Sequence, residues 1–207
     1  MTAAVIVAHP DDETLWAGGT ILAQAEWDWF IVTLCRAQDP DRAPRFWQAL
    51  KLFGATGKMA DLDDEAEQIA LPDKEVQDTI LSSLAAKRFN IILTHGPRGE
   101  YTHHLRHEEA SRAVAFLWEA GGISADSIWM FAYEDGNGRY LPRAEKGAHL
   151  RTALSDELWR QKYRIITEIY GFGAQSFEAR TTPREEAFWC FDSPRALQDW
   201  TDEERGR

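Results

Sequence analysis

Ala3-Ala4-Val5-Ile6-Val7-Ala8-His9-Pro10-Asp11-Asp12-Glu13 decides how this chain is read. A short run rich in β-branched residues, cut off by a proline, is a buried strand that has just ended. His9, Asp11 and Asp12 therefore sit together on a loop at the carboxyl end of that strand. In open α/β sheets this edge is where ligands bind. One imidazole and two carboxylates within four positions make a poor surface turn and a good start to a metal site, because both ligand types suit Zn²⁺. Asp11 or Asp12 acting only as a helix cap would account for neither His9 nor the second Asp.

The complement lies downstream. Ile91-Ile92-Leu93 is a second apolar run, and it empties into the polar stretch 94–107, which holds four of the chain's six histidines. His104 and His107 have the i, i+3 spacing that puts two side chains on one helix face. A catalytic zinc site takes about three protein ligands and leaves one position open. His9, Asp12 and one histidine of the second loop supply that number from two strand ends.

Outside these loops the chain alternates between strand and helix signals. A strand at 3–8 leads to a helix at about 14–26, in which Gly18-Gly19 permits close packing. Residues 30–34 form a second strand, followed by a helix at about 43–54 stopped by Gly54. A strand near Met59 runs into the acidic stretch Asp61–Glu65, read as a solvated face. A helix at about 73–87 begins after Pro72 with Asp73 and Glu75 in its first turn. A strand at 90–94, a helix at about 107–119 and a strand at 128–133 follow. The pattern predicts an α/β fold, a Rossmann-like three-layer sandwich with a mainly parallel sheet. One domain is expected over 1–207, with a core at about 3–135 and a less regular part at 136–207. In that part 134–138 reads as a turn and 154–170 as a helix. Residues 185–189 read as an isolated apolar patch, and a charged tail frays after about residue 203.

Ala8-His9-Pro10-Asp11-Asp12-Glu13 and Gly99-Glu100-Tyr101…His104-x-x-His107, with Gly18-Gly19-Thr20 and Thr94-His95-Gly96-Pro97, resemble the LmbE-like (PIG-L) zinc de-N-acetylases. These enzymes remove acetyl groups from N-acetylglucosaminyl compounds. The resemblance covers roughly residues 3–120. It implies one Zn²⁺ per chain, with other divalent ions as alternatives, held by His9, Asp12 and His107. It implies Asp11 as general base, and His104 as the histidine that assists the tetrahedral species. It also brings Arg45 near substrate. Many members read His-Pro-Asp-His where this chain has His104-Leu105-Arg106-His107, so a carboxylate is missing there or comes from elsewhere. The spacing of Tyr101 from His104 also departs from the family's, which leaves Tyr101 without an assigned oxyanion role.

The chemistry is consistent with those roles. Zinc lowers the pKa of bound water to about 7, and a neighbouring carboxylate takes the proton. Asp11 cannot easily point the same way as Asp12, so it is free for that task. A histidine then donates to the developing oxyanion. Arg98 is a candidate for a sugar or carboxylate-bearing substrate, and Trp16, just after the motif, for a sugar ring. The other tryptophans of the nine are assigned to the core or to packing between copies of the chain, which leaves a homo-oligomer open. His95 is read as a supporting group, His103 as solvent-facing, Arg106 as a solvated charge, and His149 has no role.

Composition narrows the partners. A net charge of −11 argues against nucleic acid and anionic membranes. Cys35 and Cys190 do not make a disulfide framework, and Cys35 reads as a small buried hydrophobe. No run approaches a membrane span or a leader, so cytoplasm is the default. The expected substrate is an N-acetylated amino sugar or glycoside, and loops near 36–44 and 134–150 select it. The competing readings are a metal-binding relative without activity, a Rossmann-like small-molecule binder, and another metal-dependent amidase or phosphoesterase. The chain has no G-x-G-x-x-G after its first strand and no Walker A sequence, and its ligands suffice for one metal only.

Overall fold

The computed structural model describes residues 1–65, 69–84, 88–102 and 104–205. In chain order the first half forms β1 (Thr2–Val7), α1 (Asp12–Ala23), β2 (Asp28–Cys35), α2 (Arg42–Phe53), β3 (Thr56–Leu62), α3 (Asp73–Ser83) and β4 (Arg88–Thr94). Then come α4 (Leu105–Glu119), β5 (Ser124–Phe131), the two-residue strands β6 (Tyr133–Glu134) and β7 (Arg143–Ala144), and β8 (Leu150–Ala153). The chain closes with α5 (Asp156–Arg164), α6 (Phe177–Thr181), β9 (Glu185–Phe191) and α7 (Pro194–Arg205).

A seven-stranded sheet runs β3-β2-β1-β4-β5-β9-β8. Its first five strands are parallel, while β9 lies antiparallel to both β5 and β8. The fold is the expected α/β three-layer sandwich. β1 is flanked by β2 on one side and β4 on the other. The strand order therefore reverses between β1 and β4, and the crevice at their carboxyl ends is the topological switch point. Both motif loops leave the sheet there.

β1 shows why its sequence is apolar throughout. Ala3, Val5 and Val7 face one core cluster, while Ala4 and Ile6 face the other. A parallel strand covered on both faces needs no polar alternation. α2 is one-sided by comparison. Phe46, Ala49, Leu50 and Phe53 are buried at i, i+3, i+4 and i+7, and Gly54 closes the helix at φ 65°.

The last third is more regular than its sequence suggests. Residues 185–191 are not an isolated patch but the strand β9. Phe188 and Phe191 are buried from it, in opposite cores. The charged tail is an amphipathic helix that opens on Pro194. It buries Leu197 and sets Trp200 against Trp189 and Phe191 at ring distances of 5.1 and 5.2 Å. The fraying expected beyond residue 203 falls partly on 206 and 207, outside the described residues. The helix expected at 154–170 is α5 continued by a π-helical turn, Ile165–Ile169. No helix among the described residues is long and apolar enough to cross a membrane.

One buried clamp ties this third to the front of the fold. The Glu186 carboxylate accepts from Gly19 N and Thr20 N (both 2.7 Å), Thr20 Oγ1 (2.6 Å) and Lys162 Nζ (2.7 Å). Both charged residues are fully buried. Burial lowers the Lys162 pKa, and Glu186 opposes that shift. A Cβ on Gly18 would lie 3.3 Å from the Lys162 side chain of the clamp, and one on Gly19 2.4 Å from Leu154. Glu186→Ala leaves a buried ammonium unpaired and is expected to cost about 3–5 kcal/mol, read from the denaturant midpoint. A loss below about 1 kcal/mol would show that the pair does not hold these elements together.

Candidate active site

The first motif turns sharply as it leaves β1. Asp11 has φ 118° and ψ −28°, a conformation L-residues rarely take and one that is retained where surrounding structure enforces it. Glu13 does the enforcing. Its Oε2 accepts the Asp11 amide at 3.1 Å, and its Oε1 accepts the hydroxyls of Thr14 and Tyr170, each at 2.6 Å. α1 starts at Asp12 with no side-chain cap from Asp11, so the turn serves more than capping. Asp12 folds back, taking the His9 amide on Oδ2 at 2.8 Å and Trp16 Nε1 on Oδ1 at 3.2 Å.

Asp12 Oδ2 is the centre of the constellation. His9 Nδ1 lies 3.2 Å from it and His107 Nε2 3.4 Å. The far nitrogen of each ring rests on a carboxylate: His9 Nε2 on Asp64 Oδ1 at 3.0 Å, and His107 Nδ1 on Glu100 Oε2 at 2.6 Å. Carboxylates in that position set the tautomer that leaves the inner nitrogen free for a metal. His107 Nε2 is buried without a hydrogen-bond partner, an arrangement that calls for one. The donor set fits one divalent ion. Ligand atoms of His9, His104 and His107 lie within 4.8 Å of one another, as do those of Asp12, His95 and His107, so His107 is common to both groups.

Ligand atoms of His95 thus lie close to those of Asp12 and His107, yet the His95 ring is occupied. Nε2 accepts the Ala8 amide at 3.0 Å and Nδ1 faces Glu100 Oε2 at 2.9 Å. Burial opposes a charge on this ring, while Glu100 and Asp12 outweigh it and pull the pKa to about 9. The Ala8 amide pointing at Nε2 competes with that charge, because a protonated ring has no lone pair there. His95 is a support, stacked 3.8 Å from His107.

The charges are sorted by neighbours. Burial disfavours the Asp12 carboxylate, but His107 and His95 prevail and hold its pKa well below the ordinary range. Glu100 is likewise brought to about 2 by the same two histidines, against burial. Asp11 is pushed the other way, by burial and then by Asp12, with Arg42 pulling back. Burial and then His107 and His9 depress His104 to about 3, so it works as a neutral imidazole, and its Nδ1 is buried without a partner.

A cavity of about 370 Å³ opens over this cluster, lined among others by Asp11, Arg42, Asp64, Tyr101, His104 and Phe177. Asp11 and His104, expected at the reaction centre, are both there. Arg45 is not. Its Nε and Nη2 grip Asp41 Oδ1 at 2.9 and 2.7 Å, and Nη1 donates to the Ile169 carbonyl at 3.0 Å. Arg42, at the start of α2, takes the place expected of Arg45. Its Nη1 is 3.3 Å from Asp11 Oδ1 and its guanidinium lies over Phe172. Trp16 is fully buried, packed on Tyr133, so it supports Asp12 and offers no face to a sugar. Arg98 lines a second cavity of about 680 Å³ beside residues 96–102 and 134–137, which shares Tyr101 with the first. Arg106 is buried rather than solvated. His103 lies outside the described residues.

Sequence reasoning missed Asp64, because an acidic run normally reads as a solvated face. It missed the roles of Glu13 and Glu100, which local spacing does not reveal. Replacing His104 by Ala is expected to lower turnover by about 10²-fold with the metal retained, the scale of one lost oxyanion donor. Loss of the metal, or near-normal turnover, would overturn this assignment.

Known proteins resemble this chain in sequence and in fold. Residues 4–173 match the family model described as GlcNAc-PI de-N-acetylase, PIG-L. An uncharacterised protein, L374, of Acanthamoeba polyphaga mimivirus is 22% identical over 177 residues, 78% of this chain and 75% of its own. Among solved structures, a triple mutant of a deacetylase of the teicoplanin biosynthetic pathway superposes with TM-score 0.62 at 16% identity, covering 93% of this chain and 99% of that one. The zinc-inhibited form of teicoplanin deacetylase Orf2 gives 0.57 at 16%, over 83% and 84%. GalB, the 4-carboxy-2-hydroxymuconate hydratase of Pseudomonas putida KT2440, gives 0.59 at 17%, over 92% and 96%. At such identities the structures establish the fold alone, whereas the family model spans most of the chain and both motifs: the protein belongs to the GlcNAc-PI de-N-acetylase (PIG-L) family.

Proposed function

We propose that the protein is a metal-dependent N-deacetylase that hydrolyses the acetamide of an amino-sugar-containing small molecule. The observation that carries this reading is the single oxygen, Asp12 Oδ2, flanked by His9 Nδ1 and by the unpartnered His107 Nε2, with Asp11 and His104 lining the same cavity. His9, Asp12 and His107 would hold the ion. Zinc bound there, or another divalent ion, would supply a Lewis acid and lower the pKa of water to about 7.

The remaining work falls to the chain's own side chains. Asp11 accepts the proton of the attacking water at a carboxylate oxygen, which the raised pKa favours. Arg42 beside it orients that carboxylate. Neutral His104 donates a ring N–H to the oxyanion that develops as water oxygen bonds to the acyl carbon. The carbon–nitrogen bond then breaks, and the proton held by Asp11 passes to the leaving amine. Acetate and a free amino sugar are the products. One domain over residues 1–207, a cytoplasmic setting and assembly of several copies belong to the same proposal.

A second reading comes from the fold shared with a hydratase, since a base and an activated water also serve hydration of a carbon–carbon double bond. A metal-binding relative without activity is disfavoured by the strained, Glu13-braced Asp11, which a bare metal site does not need. The deciding experiment incubates the zinc-loaded protein with a panel of N-acetylated amino sugars and reads released acetate. Parallel wells hold a carboxylated dienoate, followed by its ultraviolet absorbance. Acetate release supports the deacetylase. Loss of absorbance alone transfers the chain to the hydratase reading, and neither signal leaves a metal-binding relative.

A further inference from the structure

Arg106 stands between the two histidines of the H-x-x-H stretch, where the resemblance to the LmbE-like enzymes implies an acidic residue. Its side chain is 2% exposed and makes three bonds. Nη1 meets Glu109 Oε2 at 2.6 Å, Nε donates to the Asp63 carbonyl at 2.5 Å, and Nη2 donates to the Ile69 carbonyl at 3.0 Å. The other oxygen of Glu109 accepts the Leu71 amide at 2.8 Å. This buried pair on α4 therefore grips the segment between β3 and α3 on both sides of the undescribed residues 66–68. A planar fork with several fixed donors can reach two carbonyls and a carboxylate at once, which an ammonium cannot.

That segment carries Asp64, which faces His9 Nε2 at 3.0 Å. Asp64 is also paired with Arg36, through Nε at 2.9 Å and Nη2 at 2.6 Å. Arg36 is 44% exposed while Asp64 is 7% exposed, and Arg36 Nη2 also reaches the Asp64 carbonyl at 3.3 Å, so Arg36 holds Asp64 from the solvent side. The backbone grip by Arg106 is dry and forms next to Asp64 itself. It also comes from the helix that carries His107, so one element orders both histidine ligands.

We propose that Arg106 is a positioning residue for the metal centre: it latches the β3–α3 segment so that Asp64 stays on the outer nitrogen of His9, turning the inner nitrogen toward Asp12. Asp64 thereby supplies from a distant loop the carboxylate that the sequence His104-Leu105-Arg106-His107 lacks. The inference rests on the metal centre proposed above, and its test has one arm that needs no metal.

The test is a double-mutant cycle on the full chain. Arg106→Lys keeps a positive charge beside Glu109 and loses the fork. Zinc affinity is measured by competition with a chelator. Asp64→Ala and Arg106→Lys are each expected to weaken binding about 10–100-fold, as supporting partners of metal ligands do. The double mutant should be no weaker than the worse single mutant, because Arg106 acts through Asp64. Full additivity, or an Arg106→Lys affinity within about twofold of the unaltered protein, overturns the proposal. The second arm reads ¹⁵N shifts of the His9 ring in metal-free protein. Arg106→Lys should move them toward the Asp64→Ala values, and unchanged shifts overturn the latch whether or not the protein binds zinc. Should Arg106→Lys fail to fold, Arg106→Met with Glu109→Leu removes both buried charges together and enters the same cycle.

Discussion

Asp11→Asn is expected to reduce turnover by about 10²–10⁴-fold, the usual contribution of a positioned general base, while zinc remains bound. The substitution keeps size and hydrogen-bonding capacity but removes the proton acceptor. Asp11 does not share the central oxygen of the cluster, and its Oδ1 faces Arg42 at 3.3 Å. Its backbone amide still reaches Glu13 at 3.1 Å, so the turn at φ 118° survives, and Asn tolerates positive φ at least as well as Asp. Two measurements separate the outcomes: metal content by elemental analysis and acetate release under saturating substrate. Loss of the metal would make Asp11 a ligand, and an unchanged rate would remove it from the chemistry.

His107→Ala is expected to empty the site, with a drop in metal affinity beyond the about 10–100-fold caused by losing a supporting partner. Activity should fall below detection. The inner nitrogen of His107 is buried without a hydrogen bond, 3.4 Å from Asp12 Oδ2, and its outer nitrogen is fixed by Glu100 at 2.6 Å. Removing it also strips Glu100 and Asp12 of a neighbour that holds both carboxylates in the charged form. Two buried carboxylates then lie close to fewer compensating groups, so a loss of several kcal/mol in metal-free stability should accompany the change. Stoichiometric zinc in this variant would take His107 out of the ligand set. Glu100→Gln offers an internal comparison. It retains His107 and should weaken metal binding only to the supporting-partner degree.

Much of the architecture was legible from local order. β1 through α4 follow from runs whose period is either continuous and apolar or close to 3.6 residues, broken by proline and glycine. Glu100 and His107 are seven positions apart, across the loop after β4 and the first turn of α4, so they stay near one another wherever the chain goes. What the sequence underplayed was the part built by long-range pairing. β8 is short, β9 lies antiparallel to both its neighbours, and their partners are each other and β5. Without the sheet's edge in view, residues 185–189 are only an apolar patch.

The amino-acid sequence by itself determined the α/β alternation, the placing of both motifs at strand ends, and the candidates His9, Asp11, Asp12, His104 and His107. The alternation and the strand ends depend on periodicity and on spacings of a few residues, which the backbone geometry translates directly into position, while the choice of His104 and His107 among the four histidines of 94–107 rests on the resemblance to the family. Tertiary structure alone decided that Arg42 and not Arg45 meets Asp11, that Trp16 is buried behind Asp12, and that His95 is tied to the Ala8 amide. It alone brought Asp64 to His9 across 55 residues and Glu186 to Gly19 across 167. The physical reason is that a charged side chain reads as solvated in any local window. Whether it is buried, and against which partner, is settled only when distant segments pack and each buried polar atom must find a bond.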